Sequence, residues 1–267
     1  MTRIEVENGV ELLVENWGSG TPIVFVHGWP LSHRMFEYQY IQLPREGIQC
    51  IGIDLRGYGQ SSKPWSEYDF DMFADDLKNV LDELDLEDVV LAGFSMGGGV
   101  VTRYMGRHNG DHVGKVVMIG AASPVLAKKS DFPEGVDEDA FMDLAKGCYE
   151  DRAKVSSDFA SSMFHSEPSP ELKGWLQNMS MESSPQAMAD SIEAVGEMDL
   201  RSDLADISVP TLICHSIHDQ ACPFELTAEK LHEGIENSEL VRFEESEHAL
   251  FYEEREKLNE KLVEFAQ

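Results

Sequence analysis

Six apolar runs, each short and closed by turn residues, recur along the chain: Pro22–Val26, Ile48–Ile53, Val89–Ala92, Lys115–Ile119, Thr211–Cys214 and Leu240–Phe243. Their brevity and continuity suit strands buried on both faces of a parallel sheet. Between them, apolar positions fall at helical spacing over 33–46, 69–85, 95–109, 224–234 and 251–266. In the second of these, Phe73, Leu77, Val80, Leu81 and Leu84 form the buried stripe, and Asp69 and Asp71 stand where a helix's positive N-terminal end favours acid. Ahead of the six runs, Arg3–Glu7 and Val10–Val14 alternate apolar with polar and meet at Asn8-Gly9, a hairpin signal. The pattern predicts an α/β architecture: a mostly parallel eight-stranded sheet with an antiparallel start, flanked by helices.

The strand rhythm stops between Ser123 and Ser208. Helix-like pieces separated by Pro133, Pro168, Pro170 and Pro185 fill this stretch, which is too long for a loop. We expect a helical cap at 123–208, inserted into a core made of 1–122 and 209–267. Phe159, Met163, Phe164, Trp175, Met179 and Met188 are its candidates for lining a cleft, although any one of them is as readily ordinary cap core.

Composition narrows the function. Fifty acidic residues against 21 basic give a formal charge of −29, which repels nucleic acid and anionic membranes. The acid is spread over helix faces, as at Asp75-Asp76, Asp82-Glu83 and Glu253-Glu254, and reads as a solvated coat or as adaptation to high salt. A hydrophobic fraction of 42% supports a substantial core, and no apolar stretch approaches membrane-spanning length. With no secretory-signal pattern at Met1–Gly9, the expected location is the cytoplasm. Cys50, Cys148, Cys214 and Cys222 form no CxxC pair and read as buried free thiols, Cys222 bordering the candidate site.

The chemistry starts at Gly93-Phe94-Ser95-Met96-Gly97-Gly98-Gly99, which joins the strand-like Val89–Ala92 to the helix-like Val100–Met105. A GxSxG between strand and helix is the context of a nucleophile elbow. The turn that projects such a serine crowds the flanking backbone, so glycine is needed there. Ser95 also falls at a helix N-terminus, whose positive end favours a developing oxyanion. A serine hydroxyl needs a base, and the base an orienting carboxylate. In folds with this elbow they follow as acid, then histidine. His248, in the loop after the last strand-like run, is the base candidate, and Asp219, after Thr211–Cys214, is the acid, with Glu244 and Glu247 as nearby competitors. His215 and His218 precede the last run and are in the wrong order for the base. His27, His33, His108, His112, His165 and His232 read as loop, cap or helix-surface residues. His215, His218 and Asp219 have the look of metal ligands, but no fourth ligand accompanies them at suitable spacing, so no metal is expected.

The backbone N–H groups of Trp29 and Met96 are the expected oxyanion donors, with Gly28 letting the backbone pass close to substrate and Trp29 doubling as a pocket wall. Arg56–Ser61 contains GxG, but Pro64 follows too soon for a helix and there is no GK[ST], so a nucleotide site is not expected.

His27–Leu31, Asp54–Ser61, Gly93–Gly99, Asp219-Gln220 with Pro223-Phe224, and His248 together resemble the α/β-hydrolase superfamily. More narrowly, the chain is similar nearly end to end to the bacterial arylesterases and perhydrolases formerly called non-haem haloperoxidases. The resemblance implies an α/β-hydrolase fold and a cofactor-free esterase acting on small esters through an acyl-serine, with water or hydrogen peroxide as acceptor. It associates Pro30, directly after the oxyanion tryptophan, with the peroxide reaction, and it leaves a homo-oligomer open. The expected substrate-binding residues are Trp29, Pro30, Phe159, Met163 and Ala221. Ser216, His218 and Ala249 stand where the family usually has glycine, and Leu126, Met163, Val195 and Ala221 fall at or near family phenylalanine positions, which predicts a roomier acyl site. A lactonase or C–C bond hydrolase would use the same triad, and a hydrolase-like ligand receptor would keep it without rapid turnover.

Overall fold

The computed structural model describes residues 1–267. Eight strands, β1 (Thr2–Glu7), β2 (Val10–Trp17), β3 (Thr21–Val26), β4 (Ile48–Ile53), β5 (Val89–Phe94), β6 (Val113–Ile119), β7 (Thr211–Ser216) and β8 (Ser238–Phe243), form one sheet in the order β1-β2-β4-β3-β5-β6-β7-β8. β1 and β2 join antiparallel, and the remaining neighbours from β4 onward are parallel. The central strands β3 and β5 are buried on both faces. Val24 and Val26 point into one core, and Ile23 and Phe25 into the other, as a side-chain period of two requires.

The helices are α1 (Glu37–Gln42), α2 (Phe70–Glu83), α3 (Met96–His108), α4 (Glu138–Glu150), α5 (Arg152–Ser162), α6 (Pro170–Glu182), α7 (Pro185–Glu197), α8 (Ala228–Gly234), α9 (Leu250–Glu253) and α10 (Arg255–Ala266). α2 and α3 pack on one face of the sheet, α9 and α10 on the other. α4 to α7 all lie between β6 and β7, in the stretch where the strand rhythm stops. Their starts follow local chemistry. Asp151, Ser169 and Ser184 cap α5, α6 and α7 by accepting a backbone N–H three residues on, and proline opens α6 and α7.

Three predicted helices differ in detail. The segment 33–46 is α1 between two 3-10 turns, His33–Phe36 and Leu43–Glu46, with Pro44 at the start of the second. The helix expected at 224–234 begins only at Ala228. The terminal helix breaks at Glu254, whose φ of −116° is not helical. Acidic side chains are also less of a coat than expected. Asp75 takes Arg107 on both carboxylate oxygens, and Glu253 and Glu254 accept backbone N–H groups from loops. All four cysteines are buried free thiols. No helix is long and apolar enough to cross a membrane.

Candidate active site

Ser95 stands between β5 and α3 with φ 53° and ψ −124°, a conformation that is strained for a residue with a side chain. Three backbone bonds hold it there. Its N–H donates to Ile119, and its carbonyl accepts from Gly98 and Ala122. The turn leaves no room at its flanks. A Cβ on Gly93 would lie 2.4 Å from the Gly97 oxygen, and one on Gly97 would lie 2.3 Å from the Val26 oxygen. Gly28 is confined differently from the expectation. A Cβ there would meet the Phe94 ring and, at 2.8 Å, the Ser95 Cβ, so it is the elbow itself that demands glycine.

The loop after β8 brings His248 to this serine, with Nε2 2.9 Å from Ser95 Oγ. The loop after β7 brings Asp219, whose Oδ2 lies 2.7 Å from His248 Nδ1, while its Oδ1 accepts the Cys222 N–H at 2.8 Å. All three side chains are buried. Burial alone would raise the Asp219 carboxyl, but His248 and His215 hold it well below the usual carboxylate range. A hydroxyl, an imidazole and an ionised carboxylate so aligned can move a proton off the hydroxyl.

Trp29 and Met96 border the same cavity. The Trp29 N–H has no hydrogen-bond partner in the protein, and Met96, at the first position of α3, has none within its helix. The Trp29 indole is fixed by its Nε1 donating to the Met188 carbonyl at 2.8 Å and by an edge-on contact with Phe159.

The cavity has a volume of about 600 Å³. Ala221, Phe159, Phe164, Leu126 and Val195 line it as expected. Five residues expected to line it do not. Met163 is packed in the core on the side of α9 and α10, and what it offers the site is its carbonyl, which accepts the Ala249 N–H at 2.8 Å. Pro30 is buried behind Trp29 and does not reach the cavity. Met179 and Met188 are core, and Trp175 packs edge-on against Tyr38. His27, in the loop after β3, and His33, in the 3-10 turn His33–Phe36, are buried. His27 Nε2 accepts the Leu55 N–H, and His33 Nδ1 is 2.6 Å from Asp54 Oδ1, both fully inside. Burial pushes His27 down to about 4.

The sequence reading missed Phe141, Leu144 and Ile192, which add to the apolar wall, and Gln220, His165 and Ser162, which add polar edge, while Glu247, weighed there only as a rival to Asp219, also lines the cavity. Phe141 and Leu144 lie three apart on α4, as do Ile192 and Val195 on α7, so helical spacing held a signal for the wall. For Glu247 the signal was its place directly before His248.

Asp219, Cys222 and His248 bring ligand-type atoms within 4.8 Å of one another. The donor set suits a metal poorly. Asp219 Oδ2 and His248 Nδ1 already bind each other, and burial pushes the Cys222 thiol well up, away from the thiolate that metals bind. Of the other trio, His215 Nε2 lies 3.4 Å from Asp219 Oδ2 but donates to the Cys222 carbonyl at 2.8 Å, and His218 turns out to the surface beside His165.

Comparison with known proteins identifies the family. A family model described as alpha/beta hydrolase fold matches residues 21–255. The chain is 46% identical to an AB hydrolase superfamily protein, YisY, of Bacillus subtilis, over 98% of each. It is 36% identical to the non-heme chloroperoxidase CPO-A1 of Kitasatospora aureofaciens, over 97% of this chain and 96% of that one. Identity to the bifunctional esterase/perhydrolase DCH of Acinetobacter calcoaceticus is 32%, over 99% of each. Among solved structures, an esterase from Exiguobacterium antarcticum superposes with a TM-score of 0.96 at 41% identity, covering 99% of this chain and 98% of that one. With the elbow, the sheet order and these relatives in agreement over nearly its whole length, the chain belongs to the alpha/beta hydrolase fold family, in its branch of non-heme haloperoxidase-like and perhydrolase-like proteins.

Proposed function

We propose that this protein is a serine esterase that hydrolyses small carboxylic esters through an acyl-Ser95 intermediate, with hydrogen peroxide as an alternative acyl acceptor. The observation that carries the reading is the 2.9 Å approach of His248 Nε2 to Ser95 Oγ on the floor of a mostly apolar cavity. In this mechanism Ser95 Oγ attacks the ester carbonyl carbon while His248 takes the hydroxyl proton, and Asp219 stabilises the imidazolium that forms. The tetrahedral oxygen accepts hydrogen bonds from the Trp29 and Met96 N–H groups, each worth on the order of 3 kcal/mol of barrier. As the C–O bond breaks, His248 returns the proton to the departing alkoxide. Water or peroxide then attacks the acyl carbon, again losing its proton to His248, and the carboxylic or peroxy acid leaves as Ser95 is reprotonated.

Residues 123–208 act as the cap in this reading, and Leu126, Phe141, Leu144, Ile192 and Val195 supply its acyl-binding wall. The wall is roomy enough that butyrate esters are expected to outrun acetates, and rates falling steadily from acetate to hexanoate would remove the roomy-site assignment. Peroxide as acceptor is supported by the relatives named as a chloroperoxidase and a perhydrolase. The test is Ser95→Ala, assayed with p-nitrophenyl butyrate with and without peroxide. Loss of about 10⁴-fold or more in kcat for both acceptors is expected, and a variant that keeps near-full rate overturns the assignment of Ser95.

A further inference from the structure

We infer that Glu247 selects the alcohol half of the substrate, favouring esters whose leaving group carries a protonated amine. The inference rests on the esterase reading above. Glu247 is only 6% exposed, yet it lines the cavity. The residue is held at its side chain and at its backbone. Gln220 Nε2 donates to Oε1 at 2.7 Å, and its own backbone N–H is fixed by Glu253 at 3.0 Å. Oε2 has no hydrogen-bond partner in the protein, although it is not sealed from the cavity. An acceptor oxygen that opens on the cavity with no donor from the protein is free to take a charge-assisted hydrogen bond from a ligand.

The charge around it points the same way. No lysine or arginine lines the cavity, and the carboxylate of Asp219 lies just behind His248. Burial raises the Glu247 carboxyl against the pull of the Gln220 amide, with Asp219 adding to the rise. A cation against Oε2 relieves both the desolvation and the repulsion. An anion meets the Glu247 carboxylate with no lysine or arginine to offset it.

Position assigns the amine to the alcohol. The apolar wall from Leu126, α4 and α7 accommodates a hydrocarbon acyl chain and offers no acceptor for an ammonium. The leaving oxygen must take its proton from His248, so the alcohol lies on the His248 side of the cavity, where Glu247 is the adjoining residue.

The test uses three nearly isosteric butyrate esters, normalised to their rates with hydroxide: the protonated 2-(dimethylamino)ethyl ester, the neutral 3-methylbutyl ester and the anionic 2-carboxyethyl ester. The expected order of kcat/KM is ammonium, neutral, carboxylate, with about tenfold between the first two. Glu247→Gln is expected to bring that ratio close to one. Glu245→Gln, which removes the same charge from an exposed neighbour, is expected to leave it near tenfold. A wild-type ratio of one overturns the inference, as does a ratio that survives Glu247→Gln or one that Glu245→Gln removes equally, since the last outcome assigns the preference to a diffuse field. Should Glu247→Gln fail to fold, Glu247→Asp, which keeps the charge but draws it back by one methylene, is expected to lower the ratio, and a ratio left near tenfold by Glu247→Asp overturns the inference. Failure to turn over any of the three, or p-nitrophenyl butyrate, sinks the esterase reading and this inference with it, whereas equal turnover of all three sinks only the inference.

Discussion

Glu253 Oε2 accepts the backbone N–H of Glu247 at 3.0 Å, and the same carboxylate takes the N–H of His165 at 3.0 Å. One side chain at the end of α9 thus joins the segment between α5 and α6 to the residue that precedes His248. Ala249, on the other side of His248, donates to the Met163 carbonyl. Glu254 adds a third tie, accepting from the Glu245 N–H and the Ser246 hydroxyl. The imidazole loop is therefore pinned on both sides of His248 by side-chain and backbone acceptors.

Glu253→Gln tests that pin. The amide keeps one acceptor oxygen and turns an NH₂ toward backbone donors, so either the exposed His165 N–H or the part-buried Glu247 N–H loses its acceptor, at a cost of about 1 kcal/mol. We expect kcat for p-nitrophenyl butyrate to fall about tenfold with KM little changed, alongside a lower melting temperature. A folded variant with unchanged kcat would show that His248 is held without Glu253.

Asp219→Asn removes the charge that faces His248 Nδ1 and offers an amide where a carboxylate now accepts two bonds. The imidazole is then free to present the wrong tautomer to Ser95, and kcat is expected to drop about 10⁴-fold while the fold persists. A rate within tenfold of the native protein would move the acid's role to another residue.

Gly93→Ala and Gly174→Ala make a contrasting pair. At Gly93 a Cβ runs into the Gly97 carbonyl, whereas at Gly174, in α6, it meets nothing within 4 Å. Urea unfolding is expected to place Gly93→Ala about 3 kcal/mol or more below the native protein. Gly174→Ala should be more stable by about 0.5–1 kcal/mol, through helix propensity. Equal stability of the two variants would contradict the packing at the elbow.

His27 makes stability depend on pH with a definite sign. Folded, burial holds it down to about 4, and unfolded it returns to the ordinary imidazole value of 6.5. Between those values the unfolded chain binds more protons, so the contribution is complete above pH 6.5 and is lost as pH falls toward 4. The window is worth about 3 kcal/mol. Urea midpoints at pH 7.5 and 4.5 (both about those values) should show the native protein losing that much more than His27→Gln, and parallel losses would place His27 outside the titrating set.

Much of the fold was legible because it is written in short-range pattern. Continuous apolar runs mark strands buried on both faces, and the six runs are β3 to β8. The elbow was legible for a local steric reason, since Gly93 and Gly97 must lack a Cβ for the turn to close. Chain order then led to His248 and Asp219, and the distances between them agree with that reading. The break at Glu254 was not legible, because residues 250–266 keep helical spacing while the side chain of Glu254 turns away to a loop nine residues earlier.

What the linear pattern determined by itself was the sheet, its helices and the three polar groups that meet at its edge, because strand burial, turn sterics and chain order all act over a few residues. What only the tertiary structure decided was which groups face the cavity. Met163 and Met188 are apolar enough to line it, yet they turn their side chains into the core and offer carbonyls to Ala249 and to the Trp29 indole. Glu247 and Glu253 belong by composition to an acidic surface, yet one borders the cavity and the other holds it together. The rotation of a helix against the sheet, and a bond between residues 88 positions apart such as His165 and Glu253, depend on packing that no local spacing encodes.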